Sequence, residues 1–103
     1  MKNDLTVNEA LNLATKYEKQ NKFYDAIKIF IEILKVYPNH KDVHFNLGVL
    51  FKKINDIPKS IDCYQKVIEL DPNSFFAHNN LGLVFKDLKK YQKAKDCFEK
   101  AIL

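Results

Sequence analysis

Residues 41–74 read KDVHFNLGVLFKKINDIPKSIDCYQKVIELDPNS, and this stretch decides the fold. Val43, Leu47, Leu50, Phe51 and Ile54 follow helical spacing, and Ile61, Tyr64, Val67 and Ile68 do so again. Between them lies Asn55-Asp56-Ile57-Pro58. Asn tolerates the left-handed end of a helix, Asp caps the next one, and Pro is accepted in a first turn. Pro72 prevents the second helix from running on. The stretch is therefore a helical hairpin.

The same reading recurs on both sides at a step of 34 residues. Asn46-Leu47-Gly48 is preceded by Asn12-Leu13-Ala14 and followed by Asn80-Leu81-Gly82. Tyr17, Phe51 and Phe85 keep the step, as do Ala26, Ser60 and Ala94, then Phe30, Tyr64 and Phe98, and the pair Pro38 and Pro72. A fixed period of this length marks an array of stacked hairpins, each burying its apolar face against the next. The predicted helices span 7–20 and 24–37, 41–54 and 58–70, and 75–88 and 92–102. Thr6 with Glu9 forms a capping box before the first helix. Asn39 and Ser74 are the expected caps of the third and fifth, and Asn21 matches Asn55 at the turn, where Lys89 is a poorer choice. A helical Gly at positions 48 and 82 implies a close approach of two helices, so Gly48→Leu is expected to cost about 1–3 kcal/mol by overpacking.

Composition narrows the function. Of the 103 residues 29% are charged and 47% hydrophobic, the balance of a folded and not a disordered chain. The net charge is +4 and every basic residue is Lys. Nucleic-acid readers rely on Arg, so nucleic acid is not an expected partner. The lysines of the last repeat (Lys86, Lys89, Lys90, Lys93, Lys95 and Lys100) alternate with Asp87, Asp96 and Glu99, as on a solvated face. The longest apolar run, Ile27 to Leu34, is too short to span a membrane. Residues 1–6 lack the features of a signal peptide, and a cytoplasmic location is the expectation. Cys63 and Cys97 lie one repeat apart, at an expected roughly 8–10 Å, too far for a disulfide. His44 and His78 share one repeat position and His40 lies in a loop, so packing rather than metal ligation is expected. No phosphate loop, zinc motif, C-x-x-C or nucleophile elbow is present, so neither catalysis, a metal nor any cofactor is expected.

The pattern resembles the tetratricopeptide repeat over residues 7–103: Leu then a small residue then an aromatic in the first helix of each hairpin, a small residue then an aromatic in the second, and Pro near the end. The resemblance implies an all-α right-handed superhelix, an α-solenoid of three hairpins and six antiparallel helices. It would comprise a lead-in at 1–6 and repeats at 7–40, 41–74 and 75–103, the last cut short within its second helix with no capping helix. It further implies a protein–protein interaction module, without catalysis, whose first helices line a concave peptide-binding groove. The implied groove residues are Asn8, Asn12 and Thr15, then Phe45, Asn46, Val49 and Lys52, then Phe76, Asn79, Asn80, Leu83 and Lys86. Leu11, Thr15, Asn46, Phe76 and Asn80 stand where one branch of the family clamps the terminal carboxylates of chaperones. Only Asn46 fits that pattern, so such a clamp is not expected.

Asn12, Asn46 and Asn80 form a ladder similar to that in the repeat domain of O-linked N-acetylglucosamine transferase. An Asn amide both donates and accepts, so such rungs can hold a peptide backbone whatever its side chains. Equally, the asparagines can tie one hairpin to the next. Phe45, Val49, Phe76 and Leu83 would supply apolar pockets, and Lys52 and Lys86 would attract an acidic ligand. Two alternatives stay open: self-association through an uncapped edge formed by Phe98, Ala101 and Ile102, and a role as the repeat region of a larger enzyme such as a glycosyltransferase.

Overall fold

The computed structural model describes residues 5–102. The expected start of the lead-in and the terminal Leu103 lie outside that range. Six helices and no strand occur among the described residues: α1 (Val7–Lys19), α2 (Phe23–Val36), α3 (Lys41–Lys53), α4 (Ile57–Leu70), α5 (Phe75–Asp87) and α6 (Tyr91–Ala101). They pack in chain order as three hairpins, α1 on α2, α3 on α4 and α5 on α6, with α2 against α3 and α4 against α5. The result is an all-α solenoid measuring 46 × 24 × 18 Å, an elongated stack and not a sphere around one centre.

The ends of the helices follow from local chemistry. Thr6 Oγ1 accepts from the Glu9 amide at 3.1 Å, and the Glu9 carboxylate accepts from the Thr6 amide at 3.2 Å, so the capping box forms. Ser74 caps α5 and Asp56 caps α4, where Pro58 occupies the first turn. Asn39 does not cap α3. His40 does, its Nδ1 accepting from the Val43 amide at 3.3 Å. His40 stands one repeat from both Thr6 and Ser74, so the periodic register points to it; the residue-type preference for Asn points one position too early. Asn21, Asn55 and Lys89 all take left-handed backbone, at φ 60°, 64° and 62°.

Each hairpin closes on a small residue. A Cβ built on Gly48 would lie 2.7 Å from Cε1 of Tyr64, and one on Gly82 would lie 2.6 Å from Cε1 of Phe98. Both are closer than carbon atoms approach without displacement, so the aromatic ring of the second helix rests on bare backbone of the first. The fully buried Ser60 adds a bond here, its Oγ donating to the Gly48 carbonyl at 2.7 Å. Ala26 and Ala94 at the equivalent positions have no hydroxyl and are buried by packing alone. The histidines are structural. His78 Nε2 lies 2.8 Å from the Pro72 carbonyl, and His44 Nε2 lies 2.7 Å from that of Pro38. A carbonyl only accepts, so Nε2–H donates, pinning each turn between repeats to the helix that follows.

Two apolar clusters run along the stack. The first joins Ala10, Ala14, Phe30 and Ile33 to Val43, Leu47 and Leu50. The second joins Tyr64 to Leu81, Val84, Phe85 and Cys97. Both cysteines are free. Burial, with Asp62 and Asp56 adding to it, pushes the Cys63 thiol up to about 11. Burial also raises Cys97. Both effects favour neutral thiols of packing character.

Candidate functional site

The first helices of the second and third hairpins, α3 and α5, meet through side chains. Phe45 and Phe76 meet edge to face with centroids 6.5 Å apart, and Lys52 Nζ lies 2.9 Å from an Asp87 carboxylate oxygen. The face carrying these residues therefore continues from the second repeat into the third. Phe45 also packs on Tyr64, and Phe76 on Phe75, giving a chain of four rings. Its inner end is buried. Its outer end is open, with Phe75 49% and Phe76 67% exposed. A cleft of about 340 Å³ lies beside these rings, bounded by Phe45, Val67, Phe75 and Phe76 and by the ion pair of Lys41 with Asp71 at 3.1 Å. Such a cleft has room for one apolar side chain.

The three asparagines occupy the same helical position but are not equivalent. Asn12 is exposed, and Asn46 and Asn80 are half-buried. Asn80 Nδ2 donates to the Tyr64 hydroxyl at 3.4 Å, tying α5 to α4. The residue one repeat before Tyr64 is Phe30, which has no hydroxyl, so Asn46 has no such acceptor. The third rung therefore has a tie between hairpins, and the other two amides have no partner of this kind.

The remaining expected site residues divide in the same way. Asn8 is exposed, Asn79 and Val49 are half-buried, and Leu83 is exposed. The Thr15 hydroxyl is used within its own helix, donating to the Leu11 carbonyl at 2.9 Å. Lys52 pairs with Asp87 at the surface, a long-range contact that helical periodicity does not encode. Lys86 is exposed with no ion pair among the described residues. It stands at a second, almost wholly apolar cleft of about 390 Å³, with Tyr91, Ala94, Phe98 and Ile102. Of the expected self-association edge, Phe98 and Ala101 are half-buried and Ile102 is 80% exposed. Sequence reading misses Phe75 and Tyr91; the available signal is that both are large aromatics at the first position of a helix, outside the repeat's core spacing.

Among the described residues no group of three or more His, Cys, Asp or Glu side chains could hold a metal ion, and no helix is long and apolar enough to cross a membrane. Stacked hairpins that share an exposed aromatic face between the second and third repeats are the build of a helical-repeat scaffold. The chain belongs to the tetratricopeptide repeat family, whose profile matches residues 42–74 and 75–103, while a second tetratricopeptide repeat profile matches 10–40. Among solved structures, the crystal structure of MamA is similar with a TM-score of 0.88 at 20% identity, covering 92% of this chain and 56% of that one. A point mutant of MamA gives 0.85 at 23% identity, covering 98% and 74%. A further crystal structure of the MamA protein gives 0.83 at 26% identity, covering 90% and 51%. The chain thus spans little more than half the length of the first of these. Comparison with curated proteins found no match.

Proposed function

We propose that the chain binds an extended polypeptide segment of a partner protein along the face formed by α1, α3 and α5, with repeats 7–40, 41–74 and 75–103 as successive binding units. The observation that carries this reading is the open cleft at Phe45, Phe75 and Phe76, built on the helices that also carry Asn46 and Asn80, together with the Asn12 and Asn46 amides, which make no hydrogen bond among the described residues. In that arrangement the amides pair with the backbone of the segment and the cleft takes one of its apolar side chains. Each hydrogen bond contributes about 0.5–1.5 kcal/mol net, so the ladder alone holds a peptide weakly and the cleft supplies most of the selectivity. The test is to select peptides from a random library and map their contacts by amide chemical-shift perturbation. Shifts centred on Asn12, Asn46, Phe45 and Phe76 are expected; shifts confined to α2 and α4 would exclude the groove.

A second reading is favoured by the apolar cleft at α6, lined by Phe98 and Ile102. Here two copies associate through that edge. Sedimentation is then expected to show mass rising with concentration, and the Ile102→Asp variant to remain monomeric. A native protein that stays monomeric at high concentration removes this reading.

A further inference from the structure

The lysines are not spread evenly over the stack. Residues 16–25, 50–59 and 84–93, which run from the end of each first helix into its partner, carry three, three and four lysines against two, one and one acids. Their net charges are +1, +2 and +3, and the rest of the chain is net −2 although the whole is +4. The fold brings these segments to one edge. Lys53 Nζ of the second sits 5.2 Å from the Phe23 ring centroid of the first, and Lys52 of the second pairs with Asp87 of the third. The edge is therefore a positive ridge whose charge climbs towards the third repeat.

Two further observations separate this ridge from an ordinary solvated face. First, several of its lysines are held in place: Lys22, Lys59 and Lys93 lie 5.8, 5.5 and 5.5 Å from the ring centroids of Tyr17, Phe51 and Phe85. Ammonium groups positioned in advance lose less freedom when an anion arrives. Second, Lys89 keeps a lysine at φ 62°, where the equivalent positions use the better-suited Asn21 and Asn55. A local rule broken without a compensating contact marks a place where something other than stability sets the residue. Lys19, Lys86, Lys89 and Lys90 make no ion pair among the described residues.

We infer that this edge docks an acidic polypeptide segment, engaging the third turn most strongly. The inference rests on the reading that the chain binds proteins, but uses a different surface from the asparagine face. A polypeptide fits better than nucleic acid because the ridge has no Arg for bidentate phosphate or base contacts, and because Tyr17, Phe23, Phe51 and Phe85 already lie beneath lysines. Carboxylates spaced along a flexible segment match point charges on turns that recur repeat by repeat.

The test uses the whole chain and a fluorescent polyglutamate peptide, with oligouridine and phosphatidylserine vesicles as competing probes. Polyglutamate is expected to bind, and its affinity to fall steeply as salt is raised. Lys19→Glu/Lys89→Glu/Lys90→Glu should weaken it about tenfold or more, while Lys28→Glu/Lys35→Glu/Lys100→Glu, an equal change in net charge off the ridge, should weaken it much less. All six lysines are exposed, and circular dichroism checks that both variants fold. Equal losses in the two variants, or tighter binding of oligouridine or vesicles, would overturn the inference. So would a polyglutamate affinity lost on Asn12→Ala/Asn46→Ala/Asn80→Ala, which would put the probe in the groove and leave the groove reading standing.

Discussion

The junction between the second and third repeats differs from that between the first and second, although the same sequence positions build both. Across the later junction Tyr64 bonds Asn80, Lys52 pairs with Asp87, and Phe45 meets Phe76. Across the earlier one Phe30 replaces Tyr64, so Asn46 has no hydroxyl to reach. Inside the hairpins the contrast continues: Gly48 and Gly82 lie directly under aromatic rings, whereas the first repeat has Ala14. A repeat position therefore fixes where a side chain stands, but its neighbour one repeat away decides whether it is tied into the fold.

The largest effect should come from breaking the tight hairpins. Gly48→Leu is expected to lose about 1–3 kcal/mol or more in chemical denaturation, because the Tyr64 ring has nowhere to go. Ala14→Gly, its counterpart in the first repeat, should lose only about 0.5–1 kcal/mol from added chain freedom.

The thiols give a second contrast. With Cys63 raised to about 11, its thiolate fraction at pH 8 is far below that of a free thiol, so alkylation in the folded protein should run roughly a hundredfold slower than in the unfolded chain. The sign of the linked stability effect follows. Folding favours the neutral thiol, so this contribution is complete below the unfolded pKa and is lost as pH rises towards 11. Equal alkylation rates in folded and unfolded protein would contradict the burial.

Smaller still are the changes at the caps. His40→Ala should cost about 1 kcal/mol, as the loss of a helix cap does, and His40→Ser, which copies Ser74, should stay close to the native stability. Melting curves of the two variants decide this; equal losses would mean that His40 acts by packing and not as an acceptor. The smallest stability change belongs to the rung itself. Tyr64→Phe removes the 3.4 Å bond to Asn80 and makes this position match Phe30 of the first repeat, at a cost of less than about 1 kcal/mol.

These contrasts also explain what the sequence reveals. The six helices are legible within one residue at most boundaries, because apolar periodicity, Thr6, Asp56, Ser74 and the Asn turns are local signals. The close approach at Gly48 and Gly82 is legible from their recurrence. The pairing of Lys52 with Asp87 and of Asn80 with Tyr64 is not, since each spans two repeats and depends on how hairpins stack. His40 escapes a reading that weighs residue preference above the register. Of the candidate face, the positions are readable; which of them the fold already uses is not.

The unequal ladder can be tested directly by measuring the affinity of one library-selected peptide for Asn12→Ala, Asn46→Ala and Asn80→Ala separately. A loss of about 0.5–1.5 kcal/mol is expected at each of Asn12 and Asn46, and a smaller one at Asn80, whose amide already donates to Tyr64. Unchanged affinity in the Asn12 and Asn46 variants, or the largest loss at Asn80, would contradict the unequal ladder.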